Sequence, residues 1–506
     1  MGFFTDLRQA VKNLALLGEF FQGDERQRMD RYALEREYYE GDHRQQLKVK
    51  VGQADDNITS NFIGLAVDRS NSMLLGQGID FDMPGDPEYE DDPETGKKIK
   101  KDQPNQLYID EVWEANKKDI LLHKLAQFGG MHGTCYLKII PEAIPSQGDE
   151  DTVLLPRLLP LDPAYMEIIP MPEDIDTVLM YRMTFSIKVN GKIIGRKEEV
   201  ERIMTTVDEN GTPTQRPEEI AGFLDAGWKI SNYIKRDNGQ WALMDAPEIW
   251  QQDFPPILHW QNLPLAGSVY GKPDVSPDVI QLQDRYNFVS GNINRIIRYH
   301  ASPKTWGRMA GSSTRQTWGA DEMVIYNSPD AYLENLEMQS DLVSSREFLR
   351  DLRQSLFAIT RTVDIETVTD KIGALTNFGL RVLYKDALDK LGSKQELYGE
   401  ALVEINHRLL ILRGGFEDMG GGEVVWPDPL PVNEEEETQG LEFDLNNGLA
   451  SKETAATARG YDWIEERNRI AKEKEEEGKQ TSSLGSFFLE QFDKGNVGNN
   501  QGVNNG

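Results

Sequence analysis

An α+β fold is predicted for this chain, and three features predict it. Apolar residues recur at three- and four-residue steps near the N-terminus and again from 276 to 412, the period of amphipathic helices. Between these regions, residues 132–262 hold β-branched and aromatic runs such as "GTCYLKIIP", "TVLMYRMTFSIKV" and "WKISNYIKR". Asn190-Gly191, between "SIKV" and "KIIG", is a two-residue hairpin signal, so the strands are expected to be antiparallel.

Residues 1–75 read as helical. Leu7, Val11, Leu14 and Leu17 suggest a docking helix, and "MGFFTDLRQAVKNLALLGEFF" lacks the basic start of a signal peptide. "RMDRYALEREYYEGDH" stops at Gly41, a C′ glycine. The next helix places Ile58, Phe62, Leu65, Val67 and Leu74 on one side. Residues 84–105 are a polar Pro/Gly/charge stretch, expected to be a mobile insertion. The helix over 106–129 is expected to bury Leu107, Val112, Trp113, Ile120 and Leu121. "RDNGQ" at 236–240 marks a second hairpin.

Ser276-Pro277-Asp278 combines a cap, a first-turn proline and an acid at the positive helix end. Val279, Leu282, Tyr286, Val289, Ile293 and Ile296 then form one stripe. Residues 301–330 read as loop and short strands. A second stripe runs through Leu349, Leu352, Leu356, Ile359 and Val363. The sticky, nearly uncharged "TDKIGALTNFG", Thr369 to Gly379, follows. A stripe from Tyr384 to Leu412 then predicts one helix over 375–412, roughly 57 Å long. Gly392 and Gly399 mark a kink or a close backbone approach in it. Residues 434–477 carry 14 acidic and 6 basic residues in short helices separated by Gly448 and Gly460. Asp462 and Glu465 form a capping box there. From Gly478 the chain is Gly/Asn/Ser-rich and expected to be disordered, with "SFFLEQF" at 486–492 as a sticky island.

The 506 residues are too many for one ordinary core. The net charge of −30, from 55 basic and 85 acidic residues, argues against tight gripping of nucleic acid. Residues 276–363 are neutral, with ten bases and ten acids, and 301–320 hold Lys304, Arg308 and Arg315 without an acid. The single Cys135 forms no intrachain disulfide, and the cytosol is the default compartment. No 18-residue apolar run exists, so no membrane span is expected. No P-loop or dinucleotide fingerprint is present, and "GSVYG" is no nucleophile elbow. His132 and Cys135 lack a second cysteine for a zinc site and read as a buried structural pair. The acidic runs lack the calcium-loop pattern. No cofactor, no metal and no enzymatic activity are expected.

Four stretches, in order, resemble the portal (head-tail connector) proteins of siphophage-type tailed bacteriophages: "EREYYEGDH"; "NFIGLAVDRSNSMLLGQGIDF"; "GTCYLKI"; and "ILHWQN…YGKPDVSPDVIQLQDRYNFVSGN" followed by "IGALTNFGLRVLYKDALDKL". The resemblance spans residues 30–475 and rests on the ordered set. It implies a mostly helical portal fold of wing, stem, clip and crown, with an antiparallel β-rich wing region, assembling as a ring, normally of twelve. By motif, the wing is 1–275, stem helix 1 is 276–300 and the clip is 301–340. Stem helix 2 is 341–363, the tunnel loop 364–378, the long kinked helix and return to the wing 379–427, the crown 428–477, and the disordered tail 478–506.

The resemblance further implies a channel at one capsid vertex for packaging and ejecting double-stranded DNA, without sequence readout. Tunnel-loop residues Lys371, Ile372, Gly373, Ala374, Leu375, Thr376 and Asn377 would line it. Lys304, Arg308 and Arg315 would meet DNA or an adaptor at the clip. Val279, Leu282, Tyr286, Val289, Ile293, Leu349, Leu352, Leu356 and Ile359 would pack subunits together. Implied partners are further copies of the chain, the terminase large subunit, a head-completion adaptor, and the major capsid and scaffolding proteins. The implied location is the virion, with assembly in the host cytoplasm. Two alternatives stay open: a coiled-coil scaffold that never meets DNA, and an enzyme with an unrecognised site in 132–262.

Overall fold

The structure is a computed structural model, which describes residues 25–49, 55–83, 89–91, 98–100, 104–145, 154–172, 174–203, 206–207, 213–215, 227–250, 252–301, 304–308, 332–336, 342–364, 377–414, 420–430, 434–461, 463 and 466–473. The N-terminal stripe Leu7–Leu17, the Asp462–Glu465 capping box and the "SFFLEQF" island lie outside the described residues. The chain divides into two units, residues 1–84 with 108–430, and residues 85–107 with 431–506.

In the first unit, helix α1 (residues 25–40) is the earliest described element and ends at Gly41 with φ +88°. Helix α2 (Phe62–Leu75) starts at Asn61, whose side chain accepts a hydrogen bond from the Gly64 amide. Ile58, expected on its apolar side, precedes the helix and is exposed. Strand β1 (Asp80–Asp82) follows α2. In the second unit, β2 (Tyr89–Asp91) pairs antiparallel with β3 (Lys98–Lys100), so the expected loop over 84–105 contains a ladder.

Helices α3 (Pro104–Ala115) and α4 (Lys118–His132) bury Val112, Trp113 and Leu121 as expected. Leu107 and Ile120 do not join them, each being 55% exposed. The break at Asn116-Lys117, where Lys117 has φ 57°, rotates the second helix and turns Ile120 outward.

Residues 134–261 form the β region. Strands β4 (Thr134–Pro145) and β5 (Leu154–Leu161) combine with β14 (Ile257–Gln261) in a three-stranded antiparallel sheet ordered β14-β4-β5. A six-stranded sheet comprises β6 (Met166–Met171), β7 (Asp174–Val189) and β8 (Lys192–Arg202). It continues past the short pair β9 (Thr206–Val207) and β10 (Pro213–Gln215) with β11 (Trp228–Lys235), β12 (Trp241–Leu243) and β13 (Glu248–Trp250). Val189 pairs with Lys192, and Asn190 and Gly191 both have positive φ, the mirror-image turn that matches strand twist. Lys235 pairs with Trp241 across the second predicted hairpin.

Helix α5 (Pro277–Ala301), strands β15 (Lys304–Arg308) and β16 (Tyr332–Leu336), and helices α6 (Leu342–Ile359), α7 (Asn377–Leu383) and α8 (Lys385–Arg413) follow. The expected single helix over 375–412 is interrupted at Tyr384, where ψ is 6°, rather than at Gly392 or Gly399. A Cβ on Gly392 would meet open space, so nothing requires a kink there. Strand β17 (Glu423–Val425) then pairs with β1. In the second unit, α9 (Glu434–Asn446) and α10 (Lys452–Ala458) precede Gly448 and Gly460, both at positive φ, as the punctuation predicted.

Three cores hold the first unit. One joins α2, α3 and α4 to β4 and α8 through Trp113, Leu125, Leu137, Leu402 and Ile405. A second underlies the six-stranded sheet around Met166, Tyr181, Val200 and Trp228. The third joins α1, α2, α5 and α6 through Tyr38, Ile63, Val67, Val279 and Leu356. Antiparallel sheets and helices thus form separate layers, an α+β architecture.

Candidate functional site

The residues expected to carry function run from Val279 to Asn377, on or between helices α5, α6 and α7. At the start of α5, Ser276 hydrogen-bonds the Asp278 carboxyl and holds it below its ordinary value. The predicted apolar stripe is only partly buried within one chain. Val279 is buried, while Leu282, Tyr286, Val289 and Ile293 are half-buried. The most enclosed residues of the helix include two polar ones, Gln283 and Asn287.

Those two side chains fasten α5 to the chain that leads into α2. Gln283 accepts from the Phe62 amide at 3.1 Å and donates to the Ser60 carbonyl at 2.6 Å. Asn287 Oδ1 accepts from the Ser60 amide at 3.1 Å and from Gln283 at 3.0 Å. Its amide nitrogen faces His43 Nδ1 at 3.0 Å, and His43 Nε2 faces the Tyr38 carbonyl at 2.9 Å. A carbonyl only accepts, so Nε2 carries the proton and Nδ1 accepts from Asn287. The network is satisfied throughout and sets the position of α5 by hydrogen-bond geometry. Further along, Arg295 and Arg298 pair with the buried Asp56 at 3.3 and 2.5 Å.

The far ends of α5 and α6 are bridged by β15 and β16, with Lys304 opposite Leu336 and Arg308 opposite Tyr332. On α6, Leu352, Leu356 and Phe357 are buried and Leu349 is half-buried. Ile359, from the same predicted stripe, is 45% exposed. The helix ends in a Schellman motif. The Thr362 amide donates to the Phe357 carbonyl, and the Arg361 amide to the Ala358 carbonyl. Arg361 has φ 53° at the position where glycine is usual, which is why no stop signal is legible there.

Beyond that end, the chain is clamped from three helices. Arg353 of α6 pairs with Asp364 at 2.8 Å, Arg69 of α2 donates to the Val363 carbonyl at 2.8 Å, and Lys390 of α8 donates to the Thr360 carbonyl at 3.1 Å. Lys390 also pairs with Asp274 at 3.0 Å, and Lys394 with the other Asp274 oxygen at 2.7 Å. Burial works to raise the Asp274 carboxyl, but the Lys390 and Lys394 charges outweigh it and hold the group at about 2. Burial also pulls Lys394 below the usual lysine value, with Asp274 opposing.

The same cluster continues inward. Asn262 donates to Asp274 at 3.3 Å and accepts from the Tyr398 hydroxyl at 3.0 Å, and that hydroxyl lies 3.2 Å from Cys135 Sγ. Cys135 is wholly buried, and burial pushes its thiol up to about 12. His132 goes elsewhere, to Glu35 at 3.2 Å. The two therefore serve separate buried networks, and among the described residues no group of metal-binding side chains gathers.

Of the expected channel residues, Lys371, Ile372, Gly373, Ala374, Leu375 and Thr376 lie outside the described residues, as does Arg315. Asn377 opens α7. On that helix Phe378 is 76% exposed. Sequence reading missed Asp274, Gln283, Asn287, Lys390 and Lys394. A signal existed for the lysines: Ala387, Lys390, Lys394, Tyr398, Ala401 and Ile405 continue one another at helical steps and are all buried.

Two helices joined through a two-stranded ladder, then a short and a long helix, occupy residues 277–413. Residues 274–480 match the family model described as "Phage portal protein, SPP1 Gp6-like", about two fifths of the chain. Over those residues the sequence is similar to that family, which supports the resemblance carried by the motifs there. The three more N-terminal motifs fall outside the match. No curated protein matches the chain. The match supports phage portal function in general, with the oligomeric, capsid-associated character that this family implies. Among the described residues no helix is long and apolar enough to cross a membrane.

Proposed function

We propose that this chain is the subunit of a ring-shaped conduit, normally of twelve copies, through which double-stranded DNA enters and leaves a capsid at one vertex. Residues 276–300 and 341–363 act as stem helices, 301–340 as the clip, and 364–378 as the loop at the narrowest point. Lys371 to Asn377 line that constriction. Lys304, Arg308 and Arg315 meet DNA or a head-completion adaptor, and the assembled ring docks the terminase large subunit. The role is structural rather than catalytic.

One observation carries this reading. Within the portal-matching residues, α6 and α7 expose large apolar side chains, namely Val343, Phe348, Ile359, Phe378 and Val382. Exposed apolar side chains of this size call for a covering partner, and a second copy supplies one by symmetry. The acidic balance of the chain supports passage without gripping, because phosphates are repelled by a negative wall.

Negative-stain electron microscopy of the purified chain tests the proposal. Rings with a central channel are expected; elongated dimers point to a scaffold, and particles lacking any channel overturn the reading. Replacing Ile372-Gly373-Ala374 with a bulky acidic triplet tests the constriction. Unchanged DNA packaging and retention would remove the loop from that role.

A further inference from the structure

We propose that the cleft lined by α1, β6 and the segment 265–271 is the docking site of the chain's own N-terminal segment, residues 3–21, bound as an amphipathic helix. The cleft holds about 810 Å³, the scale of a pocket that encloses an apolar occupant. Ile169, Pro170, Met171, Ile175, Leu265 and Val269 form its apolar wall. Ile175 and Leu265 are 37% and 46% exposed, and the other four are not fully buried. The first turns of α1 line it too, through Glu25, Arg28 and Arg31.

Among the described residues, the four charged side chains that line the cleft are already paired. Arg28 pairs with Glu25 and donates to the Met166 carbonyl. Arg31 pairs with Glu35 at 3.4 Å, and Glu167 with Arg182 at 2.7 Å. The Tyr270 hydroxyl accepts from the Ile168 amide at 3.0 Å, and the Ser268 hydroxyl accepts from the Tyr270 amide at 3.1 Å. The cleft therefore offers an occupant apolar contact rather than a charge to neutralise, and it suits the apolar face of a helix.

The residues that precede α1 supply that face. Phe3, Leu7, Val11, Leu14, Leu17 and Phe21 step by three and four, with Arg8, Lys12 and Glu19 off the stripe. Only Gln22, Gly23 and Asp24 separate Phe21 from Glu25, which itself lines the cleft. Four residue steps span at most about 14 Å, so the end of the stripe stays close to the cleft. Arg28 holds this end of α1 in place, with its guanidinium 4.9 Å from the Tyr32 ring centre and 4.4 Å from that of Tyr270. So short a tether gives the segment an effective concentration on the order of millimolar at its own cleft, ahead of another copy in dilute solution. The cleft and its tether lie outside residues 274–480, so the inference does not depend on the portal reading.

The test is cross-linking of the full-length chain carrying Leu14→Cys and Leu265→Cys, treated with a short bismaleimide in dilute solution. Cys135 is wholly buried and does not compete, and Leu265 is exposed, so its replacement leaves the fold intact. A link within one chain is expected, identified by peptide mass spectrometry. Adding Leu7→Asp and Leu17→Asp should cut its yield about tenfold. In the full-length chain with those two aspartates, amides of 265–271 should exchange about tenfold faster than in the wild type, while those of α4 stay unchanged. Absence of the link overturns the proposal, as does unchanged exchange at 265–271. A link that survives both aspartates shows tethering without docking and overturns it too. Links formed only between chains overturn the assignment to the chain's own segment.

Discussion

Lys394 of α8 places its ammonium 2.7 Å from a carboxylate oxygen of Asp274, 120 positions earlier in the chain, with neither side chain exposed to solvent. Lys390 holds the other oxygen and reaches the last turn of α6. One carboxylate therefore joins the approach to α5, the end of α6 and the long helix.

Asp274→Asn is expected to destabilise the subunit by about 3–5 kcal/mol, because it strands two buried ammonium groups. Lys394→Met should cost less, since it leaves Asp274 paired with Lys390 and removes the surplus charge. Urea unfolding of both variants checks the order. An Asp274→Asn midpoint equal to that of the wild type would show that the pair carries no stability.

A second expectation concerns pH. Burial raises the Glu35 carboxyl from 4.5 to about 8, and burial lowers His132 from 6.5 to about 3. The folded state holds the Glu35 proton more tightly, so this group lowers stability as pH rises from 4.5 to 8. His132 is protonated more readily when unfolded, so it raises stability as pH rises from 3 to 6.5. The two oppose each other between 4.5 and 6.5. From 6.5 to 8 only the Glu35 loss remains, at most about 1.4 kcal/mol per pH unit. Glu35→Gln should remove that alkaline loss. Parallel melting curves of wild type and variant from pH 6.5 to 8 would contradict it.

Gly133 and Gly271 pass with no room for a side chain. Gly133 has φ +83°, and a Cβ there would collide with the Gly271 carbonyl. Gly133→Ala should therefore cost about 2–4 kcal/mol, from left-handed backbone strain and overpacking. The junction of α4 with β4 is where hydrogen exchange should rise. Wild-type protection in that region would mean that the backbone moves apart freely.

Phe348 is exposed on α6 and joins no hydrophobic core among the described residues. Phe348→Asp should shift monomer stability by no more than about 0.5 kcal/mol. If copies pack through this face, the same change should move the population from rings toward monomers in light scattering. Undiminished rings would exclude Phe348 from the contact.

Much of the local structure was legible in the sequence. Asn190-Gly191 specified its hairpin because only a few residues adopt two successive positive φ values. Ser276-Pro277-Asp278 marked the start of α5 because capping chemistry is local. Gly41, Gly448 and Gly460 marked helix ends for the same kind of reason. The end of α6 escaped notice because Arg361 stands where glycine is usual. Ile120 was misplaced because the left-handed Lys117 resets the helical phase, and a periodic pattern carries no record of such a break.

By itself the sequence determined the α+β class, the antiparallel β region, the helical stripes and the likeness to phage portal proteins, because each depends on period, local backbone chemistry or the order of motifs. Only the tertiary structure decided that Gln283 and Asn287 are buried, that His132 and Cys135 part company, and that two lysines share Asp274. Charged and amide side chains look solvent-exposed in a sequence. Their burial depends on a compensating partner that arrives from more than a hundred residues away, and no local period encodes that partner.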